Sequence, residues 1–288
     1  MSAQPTTDPA RADPLTLGIS PCPNDTFIFR AWVHGRVPGA PPVTVAYADI
    51  GECNTLAARG ALDIVKVSYG ALPWLLADYR LLPCGGALGR GCGPLVLTAR
   101  PAEPGALPGA RIAVPGERTT AYLLLRLWAQ AVVPDGIGEI VVMPFDQIMP
   151  SVQAGSVDAG LVIHESRFTY PAYGLSAVAD LGDWWERETG LAVPLGAIVA
   201  RRDLDPAPLT DAIRRSLAAA WADPAATQDY VLAHAQEMDP AVADAHIALY
   251  VNSFSADLGT EGYAAVDGLL DRAAAAGLVP PTPTSALH

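Results

Sequence analysis

The chain has 288 residues, enough for one large domain or two of ordinary size, and with 51% of them hydrophobic it has ample material for a core. A net charge of −12 and no Lys/Arg cluster exclude a nucleic-acid partner, whose phosphates call for basic side chains; the acidity reads as solubility. No run of about 18 apolar residues occurs, which argues against a membrane-spanning helix.

Residues 1–14 are polar and rich in Pro, Ala and Thr. They lack the basic start and apolar stretch of a secretory leader, so the expectation is a disordered tail and a cytoplasmic protein. Residues 15–20 form a short apolar strand that runs into Pro21-Cys22-Pro23-Asn24-Asp25-Thr26, a turn with cap residues. A helix over 26–34 follows, N-capped by Asn24 or Asp25. A strand is expected over 43–48 and a helix over 51–59. The segment 84–93 is glycine-dense but has no Gly-Lys-Ser/Thr closure, so it is no phosphate loop; it reads as a hinge or a close-packed loop. Further helices are expected over 121–131, 211–222, 224–236, 240–252 and 261–276, with 280–288 as a tail. Alternation of strand and helix patterns argues an α/β fold.

Two internal echoes organise the chain. Residues 57–69 and 152–164 each read as a helix end, a glycine stop, an Asp three residues later and an apolar strand. This alignment places Lys66, Ser68 and His164 near the carboxyl ends of equivalent strands, where open α/β sheets bind ligands. Residues 93–100 resemble 193–201, and the pair suggests two crossings between lobes. The expected division is 15–98 plus 200–288 for the first lobe and 99–199 for the second.

His164 leaves an apolar strand for the polar segment Glu165-Ser166-Arg167, where a scaffold presents catalytic groups; it is either a general base or a hydrogen-bonded strand-end histidine. Thr119 and Thr120 precede a helix whose free N–H groups could hold an anion, or they are caps alone. Lys66 within an apolar strand either grips a substrate carboxylate or pairs with a structural acid. Arg90 and Arg167 are the other cations open to that role. Asn24 and Asp25 read as caps before catalysts. His34 suits a helix C-terminus, and His234 and His246 fall on helical segments without a motif. Cys22, Cys53, Cys84 and Cys92 show neither C-x-x-C nor zinc spacing, so packed, reduced thiols and no metal site are expected.

Four segments together carry a resemblance. They are Ser20-Pro21-Cys22-Pro23-Asn24-Asp25-Thr26-Phe27-Ile28-Phe29, Gly85-Gly86-Ala87-Leu88-Gly89-Arg90-Gly91, Thr119-Thr120-Ala121-Tyr122 and His164-Glu165-Ser166-Arg167-Phe168-Thr169-Tyr170-Pro171. From about residue 15 to 278 the chain resembles the 1,4-dihydroxy-6-naphthoate synthase family of menaquinone biosynthesis by the futalosine route. The resemblance implies a two-lobed, periplasmic-binding-protein-like (type II) α/β fold with a central cleft. It implies a lyase that converts cyclic dehypoxanthinyl futalosine to 1,4-dihydroxy-6-naphthoate with release of dihydroxyacetone, without a cofactor. It places His164 as the proton acceptor and Lys66, Val67, Ser68, Thr119 and Thr120 at the substrate, with Arg90, Arg167 and Asn24 as additional candidates. A small-molecule substrate is the expected partner, and the chain is expected to be a monomer or weak homo-oligomer. The alternatives are a non-catalytic carboxylate-binding protein and the related chorismate dehydratase.

Overall fold

The computed structural model describes residues 13–235 and 239–287. Residues 1–12, most of the expected tail, lie outside it. The first strand, β1 (Leu15–Ile19), leads into α1 (Pro23–Val33), β2 (Val43–Tyr47), α2 (Ile50–Ala58), β3 (Ile64–Ser68), β4 (Tyr79–Leu81) and β5 (Ala87–Gly89). The chain then crosses to β6 (Leu95–Thr98), β7 (Ile112–Val114), α3 (Thr120–Val132), β8 (Ile140–Val142), α4 (Phe145–Gln153), β9 (Ala159–Val162), α5 (Ser166–Thr169), β10 (Ser176–Asp180) and α6 (Leu181–Thr189). It returns through β11 (Val193–Arg201) and ends in α7 (Pro206–Ala222), α8 (Gln228–His234), α9 (Pro240–Tyr250), α10 (Ser253–Ala256) and α11 (Gly259–Ala275).

Two sheets result, each with helices packed on it to make a lobe. The first has the order β2-β1-β3-β11-β4, with β5 also on β11; the second is β10-β6-β9-β7-β8. Both repeat one plan. β2, β1 and β3 run parallel and meet the antiparallel β11, as β8, β7 and β9 run parallel and meet the antiparallel β6. The echo of 57–69 in 152–164 is therefore α2–β3 repeated as α4–β9. Strands buried along their whole length, such as Ala159–Val162, read as unbroken apolar runs.

The divisions at 98 and 199 need correction. β6 belongs to the second sheet and β11 to the first, so strand pairing puts the crossings near 90–94 and 190–192. The segments 93–100 and 193–201 do not pair with each other; β11 pairs instead with β5, Val193 opposite Gly89. At the crossings Gly93 packs on Gly182 so closely that a Cβ on Gly93 would sit 2.2 Å from the Gly182 backbone. The glycine-dense segment is thus close-packed at Gly93, because a side chain there would push the first crossing off the start of α6.

Helix α1 starts earlier than the cap residues suggested. Cys22 is its N-cap and Pro23, with φ already fixed, is its first residue. Asn24 and Asp25 fall inside the first turn, buried, and are released from capping. The last segment is no free tail either: Leu287 is 3% exposed and belongs to the main core. The end of the helix expected over 224–236 falls partly outside the described residues. Among the described residues no helix is long and apolar enough to cross a membrane.

Candidate active site

The carboxyl ends of β1, β3 and β9 and the N-terminus of α3 converge on one cavity between the sheets. It encloses about 610 Å³ of empty space, counting what is open to solvent. Ser20, Asn24, Asp25, Lys66, Ser68, Thr119, Thr120, His164, His246 and Tyr250 supply its polar wall, and Ile50, Pro94, Ile163 and Leu195 apolar surface.

The first-lobe wall is a closed hydrogen-bond network. Lys66 Nζ lies 2.5 Å from Asp25 Oδ1, both side chains buried. Asp25 Oδ1 also accepts from Asn24 Nδ2 at 2.8 Å, and Asp25 Oδ2 accepts from the Ser20 hydroxyl at 2.7 Å and the Ser20 N–H at 3.1 Å. Lys66 is therefore paired with a buried acid, as one of its two readings expected, and it also lines the cavity. Gly196 on β11 makes room for it, since a Cβ there would meet Lys66 Cε at 2.7 Å. Ser68 points the same way as Lys66, two residues on; its N–H donates to Asn54 Oδ1 at 2.8 Å and its hydroxyl accepts from Asn54 Nδ2 at 3.2 Å. Val67 points away into the core and does not line the cavity.

Thr119 and Thr120 divide their work. Thr119 is the N-cap of α3, its hydroxyl accepting from Tyr122 N–H at 3.1 Å and donating to the Gly116 carbonyl at 2.8 Å. Thr120 ties α3 to the first lobe: its hydroxyl accepts from Gly70 N–H at 3.0 Å and donates to the Leu195 carbonyl at 2.8 Å. What remains for a ligand is the first turn of α3, with free N–H groups and the positive end of the helix dipole.

His164 stands two residues beyond β9 with φ of +54°, a left-handed conformation that a residue with a Cβ holds only when its surroundings impose it. Its ring meets Phe145 edge-on at 5.6 Å and stacks on His246 at 6.1 Å, and no hydrogen bond to another described residue engages it. Burial pushes its imidazole below the usual range, against the opposing pull of the Glu165 and Asp25 carboxylates. A neutral imidazole facing a cavity is a ready proton acceptor.

Arg90 and Arg167 are not brought to the cavity. Arg90 is half exposed and pairs with Glu186 and Glu261. Arg167 spends its guanidinium on Asp180 at 2.5 Å and the Gly93 carbonyl at 2.7 Å, bracing a crossing. Asn24 does line the cavity, and Ser20, Asp25, His246 and Tyr250, outside the expected set, join it. Asp25 had a signal in the sequence, since a lysine in an apolar strand needs an acid and the neighbouring strand ends beside one. His246 had none; it reaches Asn24 Oδ1 with Nε2 at 3.1 Å across 222 positions of sequence. Burial, with His164 and Lys66 nearby, pushes its imidazole well below the usual range.

Cys22, His164 and Glu165 bring one donor atom each to within 4.8 Å of one another. Burial, then the Glu165 carboxylate, pushes the Cys22 thiol well above its usual range, so the metal-free thiol keeps its proton. Cys53, Cys84 and Cys92 are likewise pushed up to about 12, chiefly by burial, and all four cysteines are free.

Comparison with known proteins agrees with this geometry. The model of a family described as menaquinone biosynthesis matches residues 15–275. The chain belongs to that family. It is 64% identical over 272 residues to the 1,4-dihydroxy-6-naphthoate synthase of Streptomyces coelicolor, covering 93% of this chain and 96% of that one. It is 52% identical over 272 residues to the synthase of the same name from Thermus thermophilus, covering 93% and 97%. This member of the family is accordingly an enzyme. A solved structure from Archaeoglobus fulgidus superposes with a TM-score of 0.86 at 35% identity, over 92% of this chain and 98% of that one. The alkanesulfonate-binding protein of Xanthomonas axonopodis superposes at 0.70 with 16% identity, over 94% and 96%, and shows the periplasmic-binding-protein-like fold.

Proposed function

We propose that the enzyme is a carbon–carbon lyase that converts cyclic dehypoxanthinyl futalosine to 1,4-dihydroxy-6-naphthoate and dihydroxyacetone. The observation that carries this reading is His164, an imidazole held at the cavity, its charged form disfavoured by burial, whose ring has no hydrogen-bond partner among the described residues, in a chain 64% identical to a synthase of that product. The substrate carboxylate, an anion, suits the N-terminus of α3, and Ser68 offers a hydroxyl beside it. Lys66 is committed to Asp25, so it shapes the wall and adds little net charge. His164 removes a proton from a substrate hydroxyl. The bond to the three-carbon fragment then breaks, its electron pair leaves with the fragment, and the ring gains aromaticity. Base catalysis of this kind contributes about 10²–10⁴ in rate; orientation in a cavity between two lobes and exclusion of water contribute further.

Incubation of the purified protein with cyclic dehypoxanthinyl futalosine tests the proposal, with 1,4-dihydroxy-6-naphthoate followed by mass and absorbance. Product formation is the expected result. Tight binding without turnover would remove the proposed reaction and favour a carboxylate-binding role, and turnover of chorismate instead would transfer the chemistry to a dehydration.

A further inference from the structure

Two buried polar atoms face each other between the lobes with no hydrogen bond. Glu165 Oε1, from the turn after β9, lies 3.9 Å from His246 Nδ1 on α9, the side chains being 8% and 1% exposed. Neither atom has a hydrogen-bond partner among the described residues. Buried polar atoms in native proteins are nearly always satisfied, so such a pair calls for an explanation.

The tautomer of His246 is set by its other side. Asn24 donates through Nδ2 to Asp25 Oδ1, which turns its oxygen toward His246 Nε2. An amide oxygen only accepts, so Nε2 carries the hydrogen and Nδ1 presents a bare lone pair to Glu165. A carboxylate oxygen and an imidazole lone pair repel. One added proton turns the repulsion into a hydrogen bond, and that proton belongs to the pair and to neither residue alone.

The surroundings bear on where it can go. Cys22 before α1 and His164 face Glu165. His164 stacks on His246 from one side, and Tyr250 lies one turn along α9, its ring 4.5 Å from that of His246. Lys66 and Asp25 face the same cavity but neutralise each other. Among the described residues, Glu165 is the carboxylate paired with His246 Nδ1.

We propose that Glu165 and His246 hold one proton between them, and that the resulting bond between lobes positions the adjacent His164 for proton transfer. Glu165 follows directly on the residue held at φ +54°, so a bond that pins Glu165 to α9 also pins the strained turn and keeps the two imidazoles stacked. Loss of the proton as pH rises reverses the interaction and releases the turn. Both residues act through His164, and the catalytic part of the inference rests on the reaction proposed above.

The test separates a shared proton from mere packing. Glu165→Ala removes the bond and is expected to lower kcat on the order of 10²-fold with KM little changed, the scale of a small misplacement of a catalytic group. Glu165→Gln can donate to Nδ1 from its amide without titrating. It is expected to rescue most of that loss and to abolish the fall of rate with rising pH that the shared proton predicts for the wild type. An alkaline limb that persists in Glu165→Gln, or a Gln variant as impaired as the Ala variant, would overturn the proposal. ¹⁵N NMR of the imidazole rings reads the pair without substrate: a hydrogen-bonded Nδ1 of His246 at neutral pH, lost in Glu165→Ala, is expected. A bare Nδ1 in the wild type would overturn the shared proton even if turnover is normal. A bonded Nδ1 in a protein that forms no naphthoate would instead keep the pair and remove only the proposed reaction.

Discussion

The ends of β3 and β9 are equivalent in topology and opposite in chemistry. Both strands follow a helix and a glycine stop, sit at the same place in their sheets, and deliver polar residues to one cavity. At the end of β3 every charge is answered: Lys66 by Asp25, Asp25 by Ser20 and Asn24, Ser68 by Asn54. At the end of β9 the His164 ring has no hydrogen bond to another described residue, the His164 backbone is left-handed, and Glu165 Oε1 has no hydrogen-bond partner among the described residues. The lesson is a division of labour. A saturated wall keeps its shape and holds a ligand, and an unsaturated one is free to move protons, because a group already committed to a buried partner gains little by reacting.

That contrast is sharpest at His164. His164→Gln is expected to lower the rate of product formation by about 10²–10⁴ with substrate affinity nearly kept, measured by steady-state kinetics. The saturated wall predicts the reverse pattern. Lys66→Met leaves Asp25 buried without its cation and should cost on the order of 3–5 kcal/mol in urea denaturation, whereas Lys66→Met with Asp25→Asn should recover much of it. Thr120→Val removes a hydroxyl that serves Gly70 and Leu195 at once, and should cost about 1–3 kcal/mol by the same measurement. A subtler effect concerns pH. Because burial lowers the His164 imidazole, it stays neutral below the ordinary value of about 6.5, so the acid limb of kcat/KM should lie below that pH. The smallest effect is expected at Arg90, paired outside the cavity: Arg90→Ala should leave KM unchanged and stability within about 0.5 kcal/mol.

Much of this was legible before any coordinates. The α/β alternation, the echo of 57–69 in 152–164 and the placing of Ser68, Thr119 and His164 at one face all follow from local patterns: glycine stops, caps and strand-length apolar runs. Misplacements arose where a local signal had two uses. Asn24 and Asp25 look like caps, but Pro23 starts the helix first and frees them to face the cavity. The likeness of 93–100 to 193–201 looked like a pair of crossing strands, although the two enter different sheets.

Sequence by itself determined the kind of element at each stretch and which strand ends carry chemistry, because periodicity and turn residues act over a few positions. Tertiary structure alone decided which groups are spent and which are free. The pairing of Lys66 with Asp25, the exile of Arg90 to the surface and the approach of His246 to Glu165 join residues 41, 171 and 81 positions from their partners. No local pattern records such distances, since burial and electrostatic balance arise only when the two sheets come together.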